Sequence, residues 1–486
     1  MLFSRLIRPH HNRLVAQYIR PEYRILSHQN RPAHRKIANM PKRPHDPVDV
    51  EARKERATKL QRQKSPDAST VQEHQDDVLR HPTIERAKEI DAHPPMIELE
   101  ELLKEQKTDQ PVRNVLHWFR SKDLRIEDNK GLHAASEKAK EGKGVLLTAY
   151  LFSPRDMEWH GTSAARSDFI LETLRLMQKQ LKELNIPLVF LTAPERRDKS
   201  GTVMDFVKTH DVSHIYGNFE YEVDELRRDI KIAKLTKKNG NLSFHVHHDQ
   251  TVVAPGRMTT GTGGPHKVFT PFHKSWLSLV AQEPQLLDVC GLPSSNDKSA
   301  RDQFKDLFDS SVPELPENKR FTSDEEQTRI RGLWPAGHAA GIDRLEHFLK
   351  EKVPTYARDR SSPGKDPSSR MSAYFSAGVV SVREALTAAK AQNKGKNFDG
   401  SGNDGIAGWA REIVFREFYR QVLALQPHNG MNLPHNLKFQ SVVYNENYEA
   451  EKKWYDGMTG VPFVDAGMRQ LNTEVRILCI SRAISG

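Results

Sequence analysis

Five short apolar runs punctuate the chain between residues 113 and 249. They are "RNVLHWF" (113–119), "GVLLTAYLF" (144–152), "IPLVFLT" (186–192), "VSHIYGN" (212–218) and "LSFHVHHD" (242–249). Helical patterns lie between them. In "TSAARSDFILETLRLMQKQLKEL" (162–184), Phe169, Leu171, Leu174, Met177 and Leu181 fall roughly along one face, and Thr162 or Ser163 can cap it. Strands alternating with helices of this length predict right-handed crossovers. The fold expected over 112–250 is α/β, a Rossmann-like doubly wound parallel five-stranded sheet. "FRSKDLRIEDN" (119–129) follows the first strand, so the GxGxxG dinucleotide fingerprint is absent. From 251 to 340 glycine, proline and polar residues dominate, which reads as a connection over the surface. From "GIDRLEHFLKEKV" (341–353) the period turns helical. Helices are expected at 373–393, 404–425, 446–456 and 464–472, an all-α second domain over 341–474.

Composition adds bounds. The chain has 486 residues, 37% hydrophobic and 28% charged, enough for a large core. No run approaches the roughly 18 consecutive apolar residues of a membrane span. Cys290 and Cys479 are the only cysteines, which argues against a disulfide framework and for a reducing compartment. The formal charge of +10 favours a polyanionic partner such as nucleic acid. Residues 1–40 hold seven Arg and one Lys against one acid, Glu22, interleaved with Leu2, Phe3, Leu6 and Ile7. That start reads as a mitochondrial presequence or as a disordered basic tail. Initiation at Met40 would instead expose "PKRPHDPVDVEARKERATKLQRQK", which resembles a nuclear import signal. The segment 41–111 is polar and charge-rich and reads as mostly disordered with transient helix.

Two motifs carry candidate chemistry. "SSRMSAYFSAGV" (368–379) sets Ser368, Ser369 and Ser372 before a helix start. Hydroxyls beside unpaired helix N–H groups make an anion site, or plain N-capping. In "GWAREIVFREFYRQV" (408–422), Trp409 and Glu412 share a helix face. Glu412 and Arg416, four apart, form in the bland reading a surface pair worth about 0.2–0.5 kcal/mol. Asp224 and Glu225 in "NFEYEVDELRRD" (218–229) are favourable acids for a first helical turn.

"HWFRSKDLRIEDN", "YARDRSSPGKDPSSRMSAYFSAGVVS", "REIVFREFYRQVL" and "WYDGMTGVPFVDAGMRQLN" occur in this order. Over about 113–474 the chain resembles the photolyase/cryptochrome family, most closely fungal class I cyclobutane pyrimidine dimer photolyases. The resemblance implies an antenna pigment in the α/β domain and flavin adenine dinucleotide (FAD) in the helical one. It implies light-dependent repair of pyrimidine dimers in DNA by electron transfer from reduced FAD, or a cryptochrome-like flavin photoreceptor without repair activity. By the same resemblance Ser368, Ser369, Arg370, Met371 and Ser372 grip the cofactor's pyrophosphate, and Tyr356 touches it. Trp409, Glu412, Arg416, Phe418 and Tyr419 line the pocket. Glu412 hydrogen-bonds the flipped dimer, and Arg360, Phe415 and Arg416 meet the DNA. Asp224 and Glu225 match contacts to a folate antenna (methenyltetrahydrofolate), although Met431 stands where many folate-binding members have lysine. The expected partner is dimer-containing DNA and no membrane, with the chain a monomer in nucleus and mitochondrion.

The chain departs from the family pattern at three places. Phe415 stands where Trp usually stacks on the lesion. Tyr444 stands where Trp usually ends an electron relay. After "MRQLNTE" the family's next segment is replaced by "VRILCISRAISG" (475–486), which reads as an aberrant tail on an incomplete FAD-binding domain. On that reading Phe375, Val379, Val414, Phe418 and Val422 lie open for want of covering helices. The expected result is a labile helical half, no stoichiometric flavin and no repair by this chain.

Overall fold

The computed structural model describes residues 83–475, apart from 108, 160, 161, 363, 432 and 443–446. The Arg-rich start, the basic segment after Met40, Tyr444 and residues 476–486 lie outside the described residues. Residues 84–104, within the stretch read from composition as disordered, form two helices, α1 (Ile84–Ala92) and α2 (Pro95–Lys104). The Thr83 hydroxyl caps α1 by accepting from the Arg86 amide at 3.2 Å. Met96 and Leu99 of α2 are fully buried. Glu98 and Glu105 pair with Lys234 and Lys237 at 2.8 and 2.6 Å. Two apolar anchors with a surface to dock on outweigh a polar average.

The strands fall within two residues of the apolar runs: β1 (Asn114–Phe119), β2 (Leu146–Phe152), β3 (Leu188–Thr192), β4 (Val212–Asn218) and β5 (Ser243–His247). All pair in parallel in the order β3–β2–β1–β4–β5. Leu116 is flanked by Leu147 on one side and Ile215 on the other. The crossovers carry α3 (Lys130–Glu141), α4 (Ala164–Glu183), α5 (Lys199–Thr209) and α6 (Val223–Asn239). Helices cover both faces, so the central strands read as continuous apolar runs. Ser163 caps α4, and the face expected of it is buried. Strand order reverses at β1, where an open α/β sheet offers a crevice between its neighbours. Here Asn218 bonds Asp123 at 2.7 Å and Asn129 at 2.8 Å, so the chain's own side chains occupy that place.

An imidazole column runs over β4 and β5. Tyr216 stacks on His245 at 4.7 Å and on His247 at 6.0 Å, and His214 lies 6.0 Å from His245. Burial pushes His214, His245 and His247 down to about 4, and His117 on β1 to about 3.

The stretch 251–340 is more than surface connection. It contains α7 (Phe269–Gln282), whose Phe269, Phe272, Trp276 and Val280 are buried. After α8 (Val353–Asp359), the single helix expected at 373–393 is two: α9 (Ser372–Ala377) and α10 (Val382–Gln392). Gly378 breaks them apart with φ +67°, and a Cβ there would sit 1.8 Å from the Lys122 carbonyl oxygen. Ser381 then caps α10. Next come α11 (Asp404–Leu425), α12 (Tyr448–Tyr455) and α13 (Pro462–Glu474).

The expectation of open apolar faces is overturned. Phe375, Val379, Val414 and Phe418 are buried and Val422 is partly so, in a core that also holds Val115 and Phe119 of β1. The chain's own α7 and α/β half cover them. Buried charges tie the halves together: Arg383 pairs with Asp128 at 2.9 Å and Asp249 at 2.8 Å, and Arg125 joins Asp249 to the Gly378 carbonyl. Removing one partner from such a set costs about 3–5 kcal/mol.

Candidate functional site

The site is organised by α11. Asn403 caps it, accepting from the Ile406 amide at 3.1 Å. One face of the helix, with Trp409, Ile413, Val414, Glu417 and Phe418, is buried. Glu412, expected to share a face with Trp409, lies instead on the opposite stripe with Gly408, Arg411, Phe415 and Tyr419, which is open or partly open.

Glu412 does not pair with Arg416, its neighbour one turn along. It pairs with Arg360, just past α8, at 3.0 Å, and both side chains are about half exposed. Arg416 turns inward and donates to the carbonyls of Gln250 (2.9 Å) and Phe375 (3.1 Å). Burial pushes its guanidinium down to about 10. The bland i,i+4 pair is therefore replaced by a contact 52 residues apart in sequence. Tyr356 and Trp409 meet the same ring: Phe348 lies 5.5 Å from the first and 5.2 Å from the second. Phe415 packs on Phe269 at 4.3 Å and on Tyr419 at 5.2 Å, while Phe418 lies deeper, against Phe272.

The serine-rich stretch is shaped differently from a long capped helix. Ser372 opens α9, which is only six residues, and Met371 is its buried N-cap. A helix that short brings little dipole to an anion. The Ser368 hydroxyl accepts from the Arg370 amide at 3.2 Å, and Arg370 takes φ +55°, rare for a non-glycine. Its guanidinium reaches Asp366 at 2.9 Å, yet its Nε is buried with no hydrogen-bond partner among the described residues. An orphaned donor beside Ser369 and exposed Ser372 fits a phosphate-bearing group better than a closed turn. These residues therefore fit the diphosphate of a dinucleotide cofactor.

Asp224 and Glu225 stand in the first turn of α6. The Asp224 carboxylate is already paired with Arg196. Burial, with Glu220 nearby, pushes Glu225 upward. Glu222, just before them, pairs with Arg420 of α11 at 3.0 Å.

Sequence reasoning missed Glu417. It is buried and accepts from the Val252 amide (2.8 Å), the Val253 amide (3.0 Å) and Trp276 Nε1 (2.9 Å). Burial pushes it up to about 7 against those three donors. Its clue was position, since it lies on the apolar side of the helix with Ile413, Val414 and Gln421.

Two family models match: DNA photolyase over residues 115–288, and the FAD binding domain of DNA photolyase over 409–485. A deoxyribodipyrimidine photo-lyase of Neurospora crassa is 37% identical over 365 residues, 74% of this chain and 59% of that protein. The Saccharomyces cerevisiae mitochondrial deoxyribodipyrimidine photo-lyase is 30% identical over 402 residues, 78% of this chain and 69% of that one. The chain belongs to the DNA photolyase family. It spans less than two thirds of the Neurospora photolyase it matches. A bacterial class III photolyase from Agrobacterium tumefaciens shares the photolyase fold at a TM-score of 0.63 and 23% identity, covering 78% of this chain and 72% of that one. A Synechocystis cryptochrome does so at 0.61 and 21%, covering 77% and 74%.

Proposed function

We propose that the protein repairs cyclobutane pyrimidine dimers in DNA, using light and reduced FAD, in place of the expected inactive chain, because the open apolar faces on which that expectation rested are buried. The observation that carries this reading is the Arg360–Glu412 pair on the open face of α11, with Arg360 following directly on the helix that carries Tyr356. Bound FAD in its reduced form would supply the light-driven electron transfer that splits the cyclobutane ring.

The chain's own residues position the two partners. Ser368, Ser369, Arg370 and Ser372 would hold the cofactor's diphosphate, with Met371, buried at the start of α9, anchoring the stretch. Tyr356 and Trp409, fixed against Phe348, form an apolar wall for the flavin. Arg416 acts through the backbone, clamping the carbonyls of Gln250 and Phe375 behind the pocket. Glu412 offers its carboxylate to the N–H of a flipped pyrimidine. Arg360, released from that carboxylate, faces a DNA phosphate. Phe415, braced by Phe269, stacks on the extruded dimer, and Tyr419 lies at the rim.

Asp224 and Glu225 would contact a folate antenna only after Arg196 gives up Asp224. Tyr444 would feed electrons to the flavin, losing a proton as it oxidises. In the cell we place the long form in mitochondria, as the yeast relative's name says of that protein, and a form begun at Met40 in the nucleus. Titrating the purified chain with FAD and with dimer-containing duplex tests the reading. Visible flavin absorption that co-purifies or saturates, together with preference for the damaged duplex, supports it. Neither being bound would end it.

A further inference from the structure

An open cleft of about 340 Å³ lies between α7, the end of α8 and the first turns of α11. Its lining includes His273, Arg360, Phe398, Asp399, Gly408 and Arg411. The charges in it are unevenly committed. Arg360 is balanced by Glu412. Asp399 accepts from the Ser401 amide at 2.9 Å, closing its own turn. Arg411 has no carboxylate partner among the described residues, and instead its guanidinium lies 5.4 Å from the Phe269 ring. That ring packs on Phe415 at 4.3 Å and stacks with His273 at 5.4 Å. A guanidinium steadied on an aromatic face, with its donors left over, is suited to a phosphate oxygen. Gly408 leaves the floor low: a Cβ there would meet only Tyr356, at 3.9 Å.

We propose that this cleft is a phosphate seat for the DNA strand beside the lesion, with Arg411 as its cation and His273 as a second donor. This rests on the DNA-repair reading above and extends it to residues outside the lesion pocket. The Phe269 contact couples the seat to Phe415. A phosphate held on Arg411 thereby fixes the strand relative to the ring that stacks on the dimer. A phosphate contact positions the strand without reading its bases.

The same chemistry is offered by the diphosphate of FAD, so the test carries both ligands. Affinity of the 486-residue chain for dimer-containing duplex, for undamaged duplex and for FAD is measured over a salt series. The wild type is compared with Arg411→Gln, Arg411→Lys and Gly408→Met. Arg411→Gln is expected to reduce the magnitude of the slope of log K against log salt by about 0.9, the value of one duplex phosphate. It should weaken both duplexes by the same factor and leave FAD unchanged. Lysine should restore the slope, and Gly408→Met, which fills the cleft, should copy the glutamine variant. Melting curves check that each variant is folded; Arg411 is exposed and its replacement should not move them. An unchanged slope in folded Arg411→Gln overturns the seat, whatever the wild type prefers. A loss confined to FAD reassigns the cleft to the cofactor and overturns it too. A wild type that binds both duplexes equally, with the slope still falling in Arg411→Gln, keeps the seat and removes the repair reading. A wild type that binds no DNA overturns both.

Discussion

Arg360 and Glu412 meet at 3.0 Å across 52 residues of sequence, with both side chains about half in water. A pair so exposed contributes about 0–1 kcal/mol, too little to be the reason for bringing the end of α8 onto the third turn of α11. Its place on the open face of α11 is better explained by a ligand that takes the carboxylate and the guanidinium apart.

Glu412→Ala should therefore leave the melting temperature nearly unchanged while abolishing preference for dimer-containing over undamaged duplex. Competition binding beside a thermal melt separates the two effects. Retained preference in a folded variant would take Glu412 out of lesion recognition.

Glu417 predicts the opposite pattern. Its carboxylate takes three N–H donors from the 252–253 backbone and Trp276. Glu417→Gln sets an amide NH₂ against one of those donors and strands it. The cost should be about 1–3 kcal/mol in denaturant unfolding, with any loss of DNA or flavin binding following that of the fold. A stable Gln variant would mean the carboxylate is dispensable as an acceptor.

The imidazoles predict an acid limit. In the unfolded chain histidines titrate near the ordinary 6.5. In the fold, burial holds His214, His245 and His247 near 4 and His117 near 3. The unfolded state thus binds more protons below about pH 6.5. The stability that the neutral rings contribute is full above that value and is lost as pH falls towards 4. His338, raised by its bond to Glu384, and the carboxyls of Glu417 and Asp123, each raised by burial to about 7, work in the opposite direction and are outnumbered by the four histidines. Melting temperature should drop between pH 7 and pH 5, and His245→Phe, which keeps the stack on Tyr216, should flatten the drop. A flat profile in the wild type would contradict this.

The N-terminal basic segment makes a separate forecast. A tagged long form should be imported into mitochondria and shortened, and a form begun at Met40 should enter the nucleus. An uncleaved long form spread through the cytosol would contradict the presequence.

What could be read from the sequence follows from which forces are local. Strands covered on both faces carry an excess of apolar residues, so β1 to β5 were visible as runs even with His117, His214 and His245 among them. The face of α4 and the Ser163 cap were visible because period and capping are short-range. The break at Gly378 was missed because its cause, the Lys122 carbonyl, is more than 250 residues upstream in the chain. The core role of Phe269 and Trp276 was hidden in a stretch whose glycines and prolines dominate its average. Of the motif residues, Glu412 and Arg360 do come together, and Tyr356 and Trp409 share a neighbour. Arg416 points elsewhere, since the carbonyls of Gln250 and Phe375 that attract it leave no mark in its own helix.

The most direct measurement is light-dependent loss of thymine dimers from a defined oligonucleotide. The chain is supplied with saturating FAD and a reductant, and dark and FAD-free samples serve as controls. Dimers should disappear only with light and flavin together, and should persist with Glu412→Ala. Dimers that survive illumination while both FAD and damaged DNA are bound would contradict repair and leave a flavin photoreceptor in its place.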